Sequence, residues 1–223
     1  MKNIELLSEN TLFNGINDEE IQKFCTCIDA KEVSVEAETY IFRAGDEVNH
    51  VYLILSGSMH IIDEDFWGNR SIIETMQANT LFAEAYVLSG AEHHLVSVIA
   101  AEASEYLVAD PVKLFEACAK KCPCHEKLIK NTLNILSRKI VRITEKLGHI
   151  IKRTTREKIL SYLSTCAKQA EGTSFYIPYS RQQLADYLCI ERSALSHELA
   201  KLKNAGLIRY KKNCFELLGL HQD

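Results

Sequence analysis

Residues 180–218 read SRQQLADYLCIERSALSHELAKLKNAGLIRYKKNCFELL, and this stretch decides the fold of the C-terminal end. Ser180 carries an oxygen that can accept from the unpaired N–H groups of a first helical turn. Leu184, Ala185 and Leu188 then fall on one helix face. A tight turn is expected at Cys189-Ile190. A second helix is expected over about Arg192 to Asn204, burying Leu195, Leu199 and Leu202, with Gly206 suited to the left-handed residue that ends it. Small Ala185 lets the two helices cross closely, as a helix-turn-helix requires. Beyond Gly206, LIRY and CFELL read as two short strands around Lys211-Lys212-Asn213, a hairpin that makes a wing.

In such a unit the outward residues at the start of the second helix face base edges in the major groove of double-stranded DNA. Here they are Arg192, Ser193, Ser196 and His197. Arg192 has the fork that pairs with guanine O6 and N7, whereas the two hydroxyls and the imidazole bond to bases or phosphates with less discrimination. Arg181 and Gln182, at the start of the preceding helix, and Lys211 and Lys212, in the wing, are placed for backbone phosphates.

The charge distribution agrees with this reading. The 223-residue chain has a net charge of -4, which by itself argues against a general nucleic-acid binder. From residue 149 onward, however, 12 Lys and Arg stand against 7 Asp and Glu, while the remainder carries 14 against 23. One end suits a polyanion and the other repels it. No run approaches the roughly 18 to 20 apolar residues of a membrane span. The N-terminus, MKNIELLSENTLFNG, lacks the apolar block of a signal peptide, so a cytoplasmic location is expected, with no membrane partner. In that setting the 8 cysteines are expected to be thiols or ligands, most of them small core residues.

Upstream the hydrophobic period changes. Residues 18–28 read as a short helix capped by Asp18, with Ile21, Phe24 and Cys25 on one face. From Glu32 to Asp110 the runs TYIFRA, HVYLILSG, SMHIID, RSIIETM, LVSVIA and SEYLVA alternate with turn signals such as Gly45-Asp46 and Ser89-Gly90, the spacing of an antiparallel barrel or roll. Pro111 opens another short helix, and a long one is expected from about Pro123 to Ile151. Its apolar positions Leu133, Leu136, Ile140, Ile143, Leu147 and Ile150 recur in steps of three and four, a heptad seam that predicts a parallel homodimer. Gly148 is read as a hinge before the helical RTTREKILSYLSTCAKQ.

This order of β-roll, long dimer helix and RQQLADYL…RSALSHELAKL…GLI resembles the Crp/Fnr family of transcription regulators over nearly the whole chain. Two departures stand out in the DNA-reading part: Cys189 replaces the usual turn glycine, and His197 stands where many members carry a second arginine. The resemblance implies an α+β chain with an antiparallel β-roll (jelly-roll) sensor domain over 1–124, a dimerisation helix over 125–148 and a winged helix-turn-helix over 149–223. It also implies an RNA polymerase contact and an effector inside the roll. Cyclic-AMP binders of the family carry Gly-Glu about ten residues before an Arg-Ser pair that holds the phosphate. Here NTLFAEAYVLSGAEHHLVSVIA keeps Glu84, but Ala83 replaces the glycine and His94-Leu95 the Arg-Ser pair. A cyclic phosphate would lose its bidentate partner, so cyclic AMP is not expected and the cofactor is left unknown, with Glu84 and His94 as candidate pocket residues. Of the pair His93-His94, at most one can enter the pocket, and a solvated pair is expected.

Iron-sulfur members show several N-terminal cysteines, whereas this chain offers Cys25 and Cys27, too few for a four-iron cluster. Cys118, Cys122, Cys124 and His125 form a second group near the start of the dimer helix. They are the basis of the alternative reading, a redox- or metal-responsive thiol protein, although the spacing is not a standard zinc pattern. No paired acid and base or phosphate loop accompanies them, so the chain is read as a binding protein and not an enzyme.

Overall fold

The structure, a computed structural model, describes residues 4–67, 70–115 and 123–218. It forms two compact units, Met1–Ser137 and Arg138–Asp223.

The first unit opens with α1 (Ile4–Ser8), a single 3-10 turn (Thr11–Phe13) and α2 (Asp18–Cys27). The cap of α2 is Asn17, one residue before the expected Asp18. Its side chain accepts from the Glu20 backbone N–H while the Glu20 carboxylate accepts from the Asn17 N–H, so Asn17-x-x-Glu20 is the capping box and Asp18 merely begins the helix.

Eight strands follow: β1 (Lys31–Val35), β2 (Tyr40–Phe42), β3 (Val51–Ser56), β4 (Ser58–Glu64), β5 (Arg70–Gln77), β6 (Leu81–Phe82), β7 (Ser97–Ala100) and β8 (Ser104–Ala109), with α3 (Glu84–Ser89) between β6 and β7. All of them pair antiparallel, in two four-stranded sheets ordered β1-β8-β3-β6 and β2-β7-β4-β5. The strands form the antiparallel roll that their spacing predicts, and the α+β jelly-roll fold is the one that the family resemblance implies. Gly57, between β3 and β4, has φ +79, and a Cβ there would stand 2.7 Å from the Ala103 carbonyl, so no larger residue fits this crossing.

Period-2 alternation sends β3 into two different cores. Ile54 meets Phe42, Met59, Met76, Phe82, Val98 and Tyr106 between the sheets, with Tyr52 packed against them. Val51, Leu53 and Leu55 point the other way, onto Leu12, Phe13, Ile21, Phe24, Leu114 and Leu128. The interior between the sheets is therefore filled by side chains, several of them aromatic: Phe42, Tyr52 and Phe82 lie within 6.3 Å of one another by ring centroids.

After α4 (Pro111–Phe115), α5 (Pro123–Ile150) begins in the first unit and ends in the second. Gly148 lies inside α5, and the helix breaks only at residues 151–154. Gly148 therefore does not interrupt the helix, and the break comes just before α6 (Thr155–Gln169), where Thr154 and Glu157 form a second capping box.

The second unit continues with β9 (Ser174–Tyr176), α7 (Arg181–Tyr187), α8 (Arg192–Asn204), β10 (Ile208–Lys211) and β11 (Cys214–Leu217). Ser180 caps α7 with Gln183 as its reciprocal partner, and the apolar positions Leu184, Ala185, Leu188, Leu195, Leu199 and Leu202 all enter one core with Ile159, Leu163, Ile208 and Phe215. Gly206 ends α8 with φ +71, as its place in the sequence predicts. The wing has a third strand that the sequence reading missed, because β9 pairs with β11 to give the order β10-β11-β9.

Candidate nucleic-acid interface and effector cassette

The first turns of α8 present Arg192, Ser193, Ser196 and His197 to solvent while Leu195 and Leu199 anchor the opposite face. These four share the outer surface because the helix period puts the leucines inward at steps of four and three. Ser196 Oγ donates to the Arg192 carbonyl at 3.0 Å, so its proton is committed within the helix and the oxygen is left to accept.

The turn between α7 and α8 is held by backbone geometry. Cys189 has φ +52, the left-handed conformation that a glycine takes without strain, so the turn keeps the backbone of the usual glycine although a cysteine stands there. Lys158, reaching from α6, donates through Nζ to the carbonyls of Leu188 at 3.3 Å and Cys189 at 3.4 Å and satisfies acceptors at the end of α7.

Of the four residues expected at phosphates, Lys211 and Lys212 are exposed at the wing tip. Gln182 is exposed too, its amide donating to Asp186 Oδ1 at 2.8 Å. Arg181 is arranged differently. Its Nη2 donates to the Lys212 carbonyl at 2.8 Å, its Cζ lies 5.0 Å from the Tyr210 ring centroid and 4.9 Å from that of Phe215, and Nη1 is buried without a hydrogen-bond partner. Burial pulls the guanidinium pKa down, with Tyr210 opposing. The fork is turned into the protein and not outward to a backbone.

Sequence reasoning did not find the cluster around His149. This imidazole, in the last turn of α5, is buried; its Nδ1 lies 2.9 Å from Ser161 Oγ, its ring is perpendicular to that of Tyr162 at 5.7 Å, and it is tilted against Tyr187 at 6.3 Å. Tyr187 also stacks on Tyr179 at 5.0 Å and receives Lys146 Nζ over its ring at 5.5 Å. The three tyrosines have no short period, so no local pattern announced them. Burial lowers the His149 pKa; Glu145 opposes that shift and Lys152 adds to it.

In the first unit, Ala83 enters α3 with φ +65, again the conformation a glycine favours, and Glu84 is buried at the start of the helix. The pair expected to be solvated is split: His93 is exposed, and His94 is 2% exposed. His94 lies flat against Phe42, with Tyr86 edge-on at 5.0 Å, and its Nδ1 has no hydrogen-bond partner. Desolvation pulls its pKa down, with Asp46 opposing. The segment that would cradle a cyclic phosphate therefore holds a neutral imidazole packed between rings and not a guanidinium, so its residues do not fit a cyclic nucleotide.

The thiol group is not assembled among the described residues. Cys118 and Cys122 lie outside them. Cys124 is in the N-terminal core, and His125 is buried with Nε2 3.1 Å from the Lys113 carbonyl and its ring edge-on to Phe24 at 5.0 Å. Among the described residues no group of three or more His, Cys, Asp and Glu could hold a metal ion. The cysteines are not mostly core residues either: of those described, Cys25 and Cys124 are buried, Cys27 and Cys189 are exposed, and Cys166 and Cys214 lie between. Burial pushes the Cys25 thiol up to about 12, with Glu32 adding to the shift, which makes it a poor nucleophile.

A jelly roll followed by a winged helix-turn-helix with a basic, outward-facing second helix defines a DNA-binding regulator. Residues 32–121 match the sequence model of the cyclic nucleotide-binding domain, and residues 157–222 match that of the Crp-like helix-turn-helix domain. The chain belongs to the Crp/Fnr family of transcription regulators. In a search of curated proteins, none matches by sequence. Among solved structures, the fold is similar to the c-di-GMP responsive global regulator CLP of Xanthomonas campestris, with TM-score 0.60 and 19% identity over 92% of this chain and 100% of that one. It is also similar to the catabolite activator protein of Thermus thermophilus (0.50, 19%, covering 94% of each chain) and to DNR of Pseudomonas aeruginosa (0.50, 22%, covering 96% of this chain and 93% of that one). At these identities the likeness establishes the fold. No helix among the described residues is long and apolar enough to cross a membrane.

Proposed function

We propose that this regulator works as a homodimer that reads a two-fold symmetric site on double-stranded DNA in the cytoplasm. Arg192 makes the discriminating base contact, Ser193, Ser196 and His197 complete the reading face, and Gln182, Lys211 and Lys212 meet phosphates. The observation that carries the reading is the sidedness of α8: Arg192 and His197 are exposed on one face, and Leu195, Leu199 and Leu202 are buried on the other. Dimerisation is supported by the seam of α5, where Leu133, Ile140, Ile143 and Leu147 are 48% to 63% exposed on a single chain, a stripe that a partner helix would cover. Two recognition helices would then sit about 34 Å apart, one turn of DNA.

The effector is a molecule other than a cyclic nucleotide seated in the α3 segment. Support comes from the imidazole of His94 at the phosphate-holding position and from the aromatic filling between the sheets. In the family's manner, an effector and RNA polymerase would meet the regulator on separate surfaces.

The test is selection of duplexes from a random pool by the purified protein, followed by footprinting and sedimentation. A dimer that enriches a palindrome with half-sites about 10 base pairs apart is expected. A monomer, or a pool without enrichment, would overturn the reading.

A further inference from the structure

We propose that Arg181 is a positioning residue that sets the wing against the helix-turn-helix, so that it acts on DNA through Lys211 and Lys212 and not by its own contact. This rests on the DNA-reading function proposed above.

The case begins at the wing tip. Lys211 pairs with Cys214, which leaves Lys212 and Asn213 as a two-residue turn. Lys212 has φ +53, a conformation that strains a non-glycine residue and persists only where neighbours hold it. Both tip carbonyls are held: the Lys212 carbonyl accepts from Arg181 Nη2 at 2.8 Å, and the Asn213 carbonyl accepts from the Ile177 N–H at 2.9 Å. The turn thus owes its shape to one bond from the first turn of α7 and one from the chain leading into it.

The rest of the guanidinium is seated on the wing's inner face. Tyr210 and Phe215 are cross-strand partners whose rings stack at 5.5 Å, and the Arg181 carbon lies about equally far from both centroids. A planar cation over paired rings and a directed bond to a carbonyl together fix the angle between hairpin and helix. Lysine cannot replace it, because an ammonium can donate to the carbonyl or lie over the rings but has no plane that does both. The exposed ammonium groups of Lys211 and Lys212 are point charges on flexible stems, and the position of their common backbone decides whether they reach phosphates.

The experiment is a double-mutant cycle on the full chain, using a duplex enriched by the unaltered protein and measured across a salt series. A direct phosphate contact by Arg181 would shift the slope of log K against log salt by about 0.9 per protomer, about 1.8 for the dimer, would be largely kept in Arg181→Lys, and would add to the loss in Lys211→Ala/Lys212→Ala. The positioning role predicts otherwise. Arg181→Met and Arg181→Lys should each lower affinity about tenfold and reduce the slope by nearly twice that amount. The lysine substitutions should then cost almost nothing more. Tyr210→Leu, at a half-buried site, removes half of the seat and should show the same non-additivity if Arg181→Met does not fold. Additive losses, or wild-type binding by Arg181→Lys, overturn the proposal. If these occur while Arg192→Ala still relaxes the preference at one base pair per half-site, only the role of Arg181 fails. If the unaltered protein enriches no duplex, the DNA-reading function fails and this role falls with it.

Discussion

The imidazole of His94 lies on the ring of Phe42, with centroids 3.7 Å apart and planes inclined by 13°. That stacking occupies the place where a guanidinium would hold a cyclic phosphate, and it leads to a prediction about ligands. Cyclic AMP at millimolar concentration should leave the melting temperature unchanged, because a ligand stabilises only the state to which it binds. His94→Arg, far from restoring a site, should destabilise the fold by roughly 3 kcal/mol by placing an unpaired charge between Phe42 and Tyr86. A clear upward thermal shift with cyclic AMP would refute the reading of this segment.

Acid sensitivity should be concentrated at two histidines. His94 and His149 both have pKa values lowered by burial, so the unfolded chain takes up protons at these sites before the folded one does. Their contribution to stability is complete above the ordinary histidine value of about 6.5 and is lost as the pH falls below it toward the lowered folded values. Melting temperatures recorded from pH 8 to pH 5 should decline in the lower half of that range, and His149→Gln should flatten part of the decline. An equal slope in the variant would remove His149 from this account.

Arg192→Ala should weaken binding to the selected duplex by roughly 1 to 3 kcal/mol and relax the preference at one base pair per half-site. Competition against single-base variants of the duplex measures both quantities. Uniform weakening on all sequences would mean that Arg192 holds a phosphate and that the base reading lies elsewhere on α8.

Ile143→Asp should separate the protomers. It puts a charge into the exposed stripe of α5 without touching either core, so sedimentation should report a folded monomer, with DNA affinity reduced to that of a single half-site. A variant that remains dimeric would place the interface on another surface.

Cys189→Gly should stabilise the protein by roughly 1 kcal/mol, read from denaturant midpoints, because the left-handed backbone at φ +52 strains any residue with a Cβ. Destabilisation would show that the thiol packs usefully at this exposed turn.

The helix-turn-helix was legible in the sequence because its determinants are local. The Ser180 cap, the leucine spacing and Gly206 all act within a few residues of their positions, and the expected bounds of α8, Arg192 to Asn204, agree with the structure. Most of the roll's strands were legible for the same reason, period 2 between turn signals. What escaped reading depends on partners distant in the chain. β9 is three residues long and exists by pairing with β11, about 40 residues later. Arg181 looked like an outward helix-start cation until Tyr210 and Phe215 were folded against it. His94, beside exposed His93, is buried only because Phe42 and Tyr86 arrive from other elements. Gly148 suggested a break, but the single Gly costs a helix only about 1 kcal/mol, and the surrounding turns of α5 absorb it.

Strand β3 has no solvent face, and this bears on how a signal could leave the roll. Tyr52 and Ile54 belong to the chamber between the sheets, while Val51, Leu53 and Leu55 support Leu128 in the first turns of α5. Chamber and helix share a partition one strand thick. A molecule that shouldered Tyr52 aside would push on the same backbone whose other side seats the helix, so the message could travel as a small displacement of a single wall, without a chain of relays.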